Sequence, residues 1–249
     1  MSLNNYKKKF KNVQNEFKTE YAGLDELWDN EKYLVNYNKF IISQLSQNFD
    51  HREQILEFGA GLGTLTLILK KNNFKNIDCV EIDKRSIEVL RSRKLRCFEK
   101  IEDIKLKYDS IFTSNVLEHI ENDTDVLLEL TKIIKKDGIL SIYVPAFNIL
   151  YSELDQKMGH FRRYELNDLK MKLSEMNFTI LKSHYADSVG FFASLAIKFL
   201  GFKRTLNLGN KKSLVFYDKF IFPISKALDK LGLKYFFGKN IIIIARYNR

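Results

Sequence analysis

The chain has 249 residues, 45% of them apolar, and a formal net charge of +10. This length and apolar share allow one globular domain with a full core. The two cysteines, Cys79 and Cys97, fit neither a metal spacing nor a disulfide framework, so we predict no metal site and a reducing cytoplasm. The polar, basic stretch 1–11 predicts no secretory signal, and no apolar run is long enough for a spanning helix.

In the first 50 residues, apolar side chains at spacings of three and four predict a peripheral helical segment. They are Tyr33, Leu34, Tyr37, Phe40, Ile41 and Leu45. Short apolar runs then alternate with helical stretches. The predicted strands are Gln54–Phe58, Asn76–Asp83, Leu95–Glu99, Asp109–Ser114, Gly138–Val144, Phe178–Tyr185 and Asn240–Tyr247. The predicted helices between them are Thr64–Lys71, Lys84–Lys94, Asp123–Lys136 (stopped by Gly138) and Asn167–Met176.

This alternation predicts an α/β fold with a Rossmann-like, seven-stranded, mostly parallel sheet flanked by helices. An N-terminal helical segment precedes the sheet, and a helical insertion precedes its last strand. We expect a single domain over 1–249, with a helical cap at 1–50, a cofactor-binding core at 51–188, a basic, Phe-rich insertion at 189–239 and the last strand at 240–249.

The first strand leads into Gly59-x-Gly61-x-Gly63, at the sheet edge where open α/β sheets bind ligands. Glu57 lies two residues before the first glycine, which disfavours a phosphate and suits a cationic ligand. Glu81 follows about 20 residues after the glycine turn, where a carboxylate can accept hydrogen bonds from a ribose diol. The alternative for Glu81 is an acid at a helix start, a role that Asp83 fits better.

Four segments resemble class I S-adenosylmethionine-dependent methyltransferases: Ile55–Thr64, Val80–Asp83, Asp109–Ile120 with its Asn-Val-Leu-Glu-His motif, and Leu130–Pro145. The resemblance covers residues 30 to 185. It implies S-adenosylmethionine as cofactor and S-adenosylhomocysteine as product. The implied contacts are Glu57 and the loop for the methionine end, Glu81 for the ribose, residues near the adenine, and Asn115 near the sulfonium. The implied cofactor-binding residues are Glu57, Gly59, Ala60, Gly61, Gly63, Glu81, Ile82, Ile101, Glu102 and Asn115.

Beyond the fifth strand, Leu154–Tyr164 resembles the insert of a bacterial subgroup that accompanies glycosyltransferases and cell-envelope polysaccharide or lipid biosynthesis. The resemblance implies a small-molecule or lipid-linked sugar acceptor. Paired arginines can clamp an anion, and a histidine can accept a hydroxyl proton. The candidate acceptor-binding residues are Tyr37, Arg162, Arg163 and Tyr164, and the candidate bases are His119 and His160. Alternatively, the arginines pair with Asp155 or Glu165 and His119 bonds a backbone carbonyl.

The stretch Val189–Asn240 holds nine Lys and one Arg against two Asp, and nine of the twenty Phe. Ser213–Phe222 and Pro223–Leu231 read as two helical pieces, because proline interrupts a helix. An apolar side (Phe216, Phe220, Ile224, Leu228) beside a basic one (Lys219, Lys226, Lys230) indicates a helix lying on the anionic inner face of a membrane. The alternative is a cap over the substrate pocket with buried Phe residues.

Three other functions are weighed against this prediction. A nicotinamide-dependent reductase is disfavoured by Glu57 and by the Asn-Val-Leu-Glu-His motif. The basic charge permits an RNA or DNA methyltransferase, but the loop after the fourth strand lacks the Asn/Asp-Pro-Pro-Tyr type motif, so nucleic acid is not the expected partner. A non-catalytic binding module is disfavoured because the glycine loop and both acids are intact.

Overall fold

The computed structural model describes residues 24–200 and 211–249. The basic stretch 1–11 and the predicted loop with Lys203 and Arg204 lie outside the described residues. The seven strands are β1 Ile55–Phe58, β2 Ile77–Val80, β3 Arg96–Phe98, β4 Tyr108–Ser114, β5 Ile134–Pro145, β6 Phe178–Ala186 and β7 Asn240–Tyr247. They form one sheet in the order β3-β2-β1-β4-β5-β7-β6, in which β7 runs antiparallel to the other six strands. The predicted fold class is confirmed.

Helices cover both faces of this sheet. They are α1 Leu24–Tyr33, α2 Val35–Leu45, α3 Thr64–Lys71, α4 Lys84–Ser92, α5 Asp123–Ile133, α6 Glu153–Lys157, α7 Leu166–Glu175, α8 Ser188–Leu200, α9 Lys211–Phe216 and α10 Phe222–Lys230. All four residues of β1 and of β2 are buried, as expected for parallel strands covered on two sides. Because β1 and β4 pair in parallel, the glycine loop and the segment after β4 emerge at the same sheet edge. No helix among the described residues is long and apolar enough to cross a membrane.

Two predicted helix boundaries are wrong. The helix predicted to reach Lys136 ends at Ile133, because Ile134 already pairs with Tyr108 as the first residue of β5. The register then shifts, and Asp137 takes a left-handed φ of 60°. In the N-terminal segment, the single predicted helical face is divided at Leu34 between α1 and α2. Only the α2 part is core: Tyr37, Ile41, Ile42 and Leu45 are buried.

The break predicted at Pro223 is also wrong, because the chain stays helical through a π-helical turn at Tyr217–Ile221. The Phe222 N–H bonds back to the Tyr217 carbonyl, and Pro223 then occupies the first turn of α10, where a missing N–H leaves no bond unmade. The turn also directs Asp218 inward. Its carboxylate accepts the N–H groups of Asn36 (3.1 Å) and Tyr37 (2.8 Å), so the insertion caps helix α2.

Candidate cofactor and acceptor site

The glycine loop is built from three left-handed residues: φ is 74° at Gly59, 52° at Gly61 and 74° at Gly63. L-residues with a side chain rarely adopt this conformation, which explains the glycines. The start of the loop is held at the end of β2, because the N–H groups of Gly59 and Ala60 donate to the Val80 carbonyl (2.9 and 3.0 Å). A β-carbon on Gly59 would lie 2.3 Å from Cγ2 of Val116, so the loop touches the segment after β4.

The two acids predicted at the cofactor have different surroundings. Glu81 Oε2 accepts the Gly61 N–H (2.7 Å), while Oε1 accepts the N–H of Ile82 (2.8 Å) and Asp83 (2.9 Å). Burial raises the pKa of this carboxyl, and the backbone hydrogen bonds oppose that shift. Glu81 therefore lies against the loop, at the open sheet edge. Asp83 accepts the Ser86 N–H (3.0 Å) as the N-cap of α4, as predicted for it.

Glu57 is buried beneath the loop. Its Oε2 accepts both the Thr66 N–H (3.1 Å) and the Thr66 hydroxyl (2.5 Å). Burial raises the pKa of Glu57 to about 8, and the hydrogen bonds from Thr66 oppose this shift. Glu57 therefore caps the first turn of α3 with a side chain that is 4% exposed, whereas the sequence suggested a direct contact with a cationic ligand.

Helix α1 covers the other side of the loop. Leu27 Cδ1 lies 3.3 Å from the position of a β-carbon on Gly61. Glu31 receives two hydrogen bonds of 2.7 Å from Arg93, and the Thr64 hydroxyl donates to it at 2.5 Å. Burial alone would raise the pKa of Glu31, but these bonds outweigh it and lower the pKa. This cover was not predicted, because nothing near Glu31 in sequence marks its partner 62 residues later.

The remaining predicted cofactor residues lie around the same edge. Ile82 follows β2 and is 53% exposed, which is unusual for an isoleucine next to a buried strand. Ile101 and Glu102 lie in a 3-10 turn after β3, with Ile101 half-buried and Glu102 exposed. Asn115 follows β4 with a left-handed φ of 53°, and its N–H donates to the Tyr143 carbonyl (2.9 Å).

The predicted acceptor clamp is mostly structural. Arg163 is buried, and its Nε donates to Asp155 (2.8 Å). The Tyr164 hydroxyl is buried and donates to Asp123 (2.8 Å). Arg162 also reaches Asp123 (3.2 Å) and is half-buried. The expected substrate contacts are therefore corrected for Arg163 and Tyr164: the pairing of Arg163 with Asp155, which was the alternative for this segment, is what the structure shows.

Tyr37 is corrected in the same way. Its hydroxyl lies 2.8 Å from the Tyr143 hydroxyl and accepts from Nδ2 of Asn240 (2.9 Å). Burial raises the pKa of Tyr37 well above its ordinary value. It contributes to a closed polar core and offers no surface to an acceptor. The signal in sequence was an aromatic residue before the first strand, which core packing explains as well as binding does.

The two candidate bases come together. The ring centroids of His119 and His160 lie 4.6 Å apart with the planes at 84°. Burial, and then the neighbouring His160, lower the pKa of His119 to about 4, while hydrogen bonds with Gly159 and Met158 act in the opposite direction. His160 Nδ1 lies 2.9 Å from Asp155 Oδ1. Sequence reasoning considered Asp155 as a partner of the arginines and missed its contact with His160, although Ser152 three residues before Asp155 is the signature of a capping box.

Comparison with known proteins identifies the class. A family model described as a methyltransferase domain matches residues 31–183, and the chain belongs to that family. The solved structure of an S-adenosylmethionine-dependent methyltransferase from Archaeoglobus fulgidus shares the fold at 19% identity, with a TM-score of 0.56, and the match covers 89% of this chain and 99% of that one. The predicted class I S-adenosylmethionine-dependent methyltransferase is confirmed.

Two curated relatives show how wide this class is. The chain is 36% identical over 83 residues, 32% of its length, to a probable ribosomal RNA small subunit methyltransferase A of Methanosphaera stadtmanae. It is 23% identical over 148 residues, 56% of its length, to a ribosomal protein L11 methyltransferase of Dictyoglomus thermophilum. The matches span 30% and 47% of those relatives.

Proposed function

We propose that this enzyme transfers the methyl group of S-adenosylmethionine to an oxygen of a sugar, a glycan or a lipid-linked intermediate. The observation that carries the cofactor part is the loop of three left-handed glycines held by the Glu81 carboxylate at the sheet edge. In this proposal Glu81 binds the ribose hydroxyls and Gly61 lies against the methionine part. Ile82 and Ile101 flank the adenine beside Glu102, and Asn115 faces the sulfonium.

Methyl transfer asks little acid–base chemistry of the protein. The sulfonium is a good leaving group, so the enzyme has mainly to align the acceptor oxygen, the methyl carbon and the sulfur, and to exclude water. Helix α1 suits the second task, because Leu27 covers the loop and the Glu31–Arg93 pair fastens the helix to it. The oxygen releases its proton to solvent as the new O–CH3 bond forms, and the C–S bond breaks to leave neutral S-adenosylhomocysteine.

Calorimetry with S-adenosylhomocysteine tests the cofactor site. Glu81→Ala removes the carboxylate that would bond the ribose, and we expect a loss of about 1–3 kcal/mol, which is about 5- to 150-fold in Kd. Glu88→Ala is the matched control, since Glu88 is an exposed acid on the neighbouring helix α4. Wild-type protein that binds neither S-adenosylhomocysteine nor S-adenosylmethionine would refute the proposed function.

The acceptor class rests on the resemblance of Leu154–Tyr164 to the envelope-biosynthesis subgroup and on the surface of the insertion. On the helical stretch 211–230, Phe216 is 56% exposed, Phe220 58% and Ile224 55%. A cap with buried Phe residues, which was the alternative, would hide these side chains, so their exposure favours a surface for a membrane. The fourth predicted member, Leu228, is half-buried.

Lysines accompany this apolar face. Lys219, Lys226 and Lys230 are exposed on the same helical stretch. An apolar stripe with adjacent ammonium groups has the chemistry of an interfacial helix on anionic lipid, with each basic residue contributing about 1 kcal/mol near the surface. We therefore propose peripheral, reversible contact with an anionic membrane, which would bring the enzyme to a lipid-linked acceptor.

Flotation with anionic liposomes tests the membrane contact. We expect the wild type to float at low salt and to remain at the bottom at high salt, because salt screens the attraction. Reversing Lys219, Lys226 and Lys230 to Glu should abolish flotation. Reversing Lys71, Lys75 and Lys107, which are exposed elsewhere, changes the net charge equally and should not. Equal effects of the two triple variants, or no flotation of the wild type, would contradict the proposal.

The acceptor itself is tested by mass detection of methylated products from nucleotide sugars and lipid-linked sugars. An RNA acceptor is the second candidate, favoured by the charge of +10 and by the relative named as a ribosomal RNA methyltransferase. Ribosomal RNA therefore belongs in the same panel. Methylation of RNA alone, with binding that weakens steeply with salt, would replace the sugar acceptor.

A further inference from the structure

Three potential metal ligands converge where β4 ends. Glu118 and His119 come from the 3-10 turn at Leu117–His119, and His160 comes from the segment after α6. One donor atom from each lies within 4.8 Å of the other two. The chain fixes this arrangement, because the Phe161 N–H donates to the Glu118 carbonyl at 2.8 Å. Two of the four histidines in the sequence thus meet at a single carboxylate.

The carboxylate of Glu118 lacks a partner within the described part of the chain. The residue is 0% exposed, and neither Oε1 nor Oε2 has a hydrogen bond there. Arg163 is the nearby cation, but its Nε donates to Asp155 at 2.8 Å. A buried carboxyl group with both oxygens unsatisfied is costly, and native proteins usually supply a donor or an ion. The two unsatisfied oxygens of Glu118 are an observation independent of the clustering of the three ligands, and they indicate a missing ligand.

The histidine side of the cluster is arranged for metal binding. Asp155 Oδ1 lies 2.9 Å from His160 Nδ1, and Arg163 holds the same oxygen. A carboxylate that accepts the Nδ1 proton leaves Nε2 with a lone pair, which is the usual outer-shell support of a metal-binding histidine. Tyr151 donates to the His160 carbonyl at 2.6 Å and fixes the backbone as well.

We infer that Glu118, His119 and His160 form a site for one divalent transition-metal ion. Two imidazoles and one carboxylate suit Zn²⁺, Fe²⁺ or Mn²⁺ and leave coordination positions open. Mg²⁺ fits poorly, because it prefers oxygen ligands. Because metal–ligand distances are about 2.0–2.2 Å, the donor atoms must move closer to one another by about 1 Å when the ion binds.

The position suggests what the open coordination sites hold. Val116, two residues before Glu118, contacts the glycine loop at Gly59, so the ion would lie beside the cofactor edge. This role rests on the proposed methyl transfer: an ion held by these three residues would bind the acceptor hydroxyl through its oxygen and make its proton more acidic, so that the proton would leave to solvent. Metal binding itself does not depend on that function.

The test is titration of chelator-treated full-length protein with Zn²⁺ and with Mn²⁺, measured by calorimetry without cofactor. We expect one equivalent to bind, and Glu118→Gln and His160→Asn each to weaken binding by about tenfold or more. His51→Asn is the control, because His51 is an exposed imidazole that packs against the Phe74 ring (centroids 4.2 Å apart) and is not one of the three ligands. It should bind as the wild type does.

Thermal unfolding gives a second readout for variants of altered stability. Zn²⁺ should raise the Tm of the wild type and of His51→Asn equally, and should raise that of His160→Asn less. No binding by the wild type, or unchanged binding in both ligand variants, would overturn the site. S-adenosylhomocysteine titrations run in parallel separate the two hypotheses: loss of metal binding with intact cofactor binding refutes only the metal.

Discussion

The contact between Gly59 and Val116 allows a quantitative test of whether packing against the segment after β4 requires a glycine at position 59. In Gly59→Ala, the new β-carbon would lie 2.3 and 2.7 Å from the two γ-carbons of Val116 and 3.0 Å from its β-carbon. The alanine would also be held at φ 74°. The substitution therefore combines backbone strain with overpacking.

The two costs can be separated. Left-handed φ costs a residue with a side chain about 1–2 kcal/mol, and overpacking a fixed neighbour costs about 1–3 kcal/mol. Gly232→Ala measures strain alone, since Gly232 has φ 110° and nothing within 4 Å of an added β-carbon. Val116→Ala removes both γ-carbons and leaves only the β-carbon at 3.0 Å, so most of the overpacking cost is relieved in the double variant.

Urea unfolding of the four variants and the wild type measures these terms. We expect Gly59→Ala to lose about 2–5 kcal/mol, and the double variant with Val116→Ala to be more stable than the sum of the single losses by about 1–3 kcal/mol. Additivity within about 0.5 kcal/mol would show that the contact with Val116 does not determine the glycine.

Three other predictions concern buried polar groups. Burial raises the pKa of Glu57 to about 8, so the folded state keeps the proton and the free energy of unfolding falls as pH rises from about 4.5 through 8. In urea unfolding between pH 5 and 9, Glu57→Gln should remove a fall of about 3–5 kcal/mol from this free energy. The same dependence on pH in the wild type and in Glu57→Gln would contradict this prediction. Burial lowers the pKa of His184 to about 4, so the wild type should lose stability as pH falls from 6.5 toward 4. His184→Asn should lose about 3 kcal/mol less over this range. Equal losses in the two proteins would show that the histidine is protonated in the folded state. Asp218→Ala should lower the free energy of unfolding by about 2–3 kcal/mol, because it removes the cap of α2. Asp218→Asn keeps one acceptor oxygen and should cost about half as much. A thermal unfolding midpoint of Asp218→Ala equal to that of the wild type would exclude the cap.

The sheet was predictable because its information is local. A buried strand between helices is a short apolar run, and β7 begins and ends at the predicted residues, Asn240 and Tyr247. The glycine loop was predictable for the same reason, since left-handed backbone at three alternating positions is encoded by residue type. Where the boundaries failed, tertiary pairing decided: Ile134 leaves the helical pattern because Tyr108 pairs with it.

The partners of polar side chains were much less predictable. In the sequence, Arg163 and Tyr164 suggest a clamp for an anion. In the fold, Arg163 pairs with Asp155 and the Tyr164 hydroxyl donates to Asp123. Whether an arginine faces a ligand or a buried carboxylate depends on contacts between distant segments, which periodicity does not report. Glu57 shows the same limit: its position relative to the glycines is visible in sequence, and its burial beneath them is not.

The insertion leaves and rejoins the sheet at almost one point. The Lys239 N–H donates to the Asp187 carbonyl at 3.0 Å, so the residues between them form a loop whose ends the fold already holds together. The entropic cost of closing such a loop grows only slowly with its length, about 0.6 kcal/mol for each doubling. Segments of very different length and chemistry can therefore be exchanged between Asp187 and Lys239 while the seven strands keep their order. The insertion can therefore change its length and sequence while the strands that carry the glycine loop stay as they are.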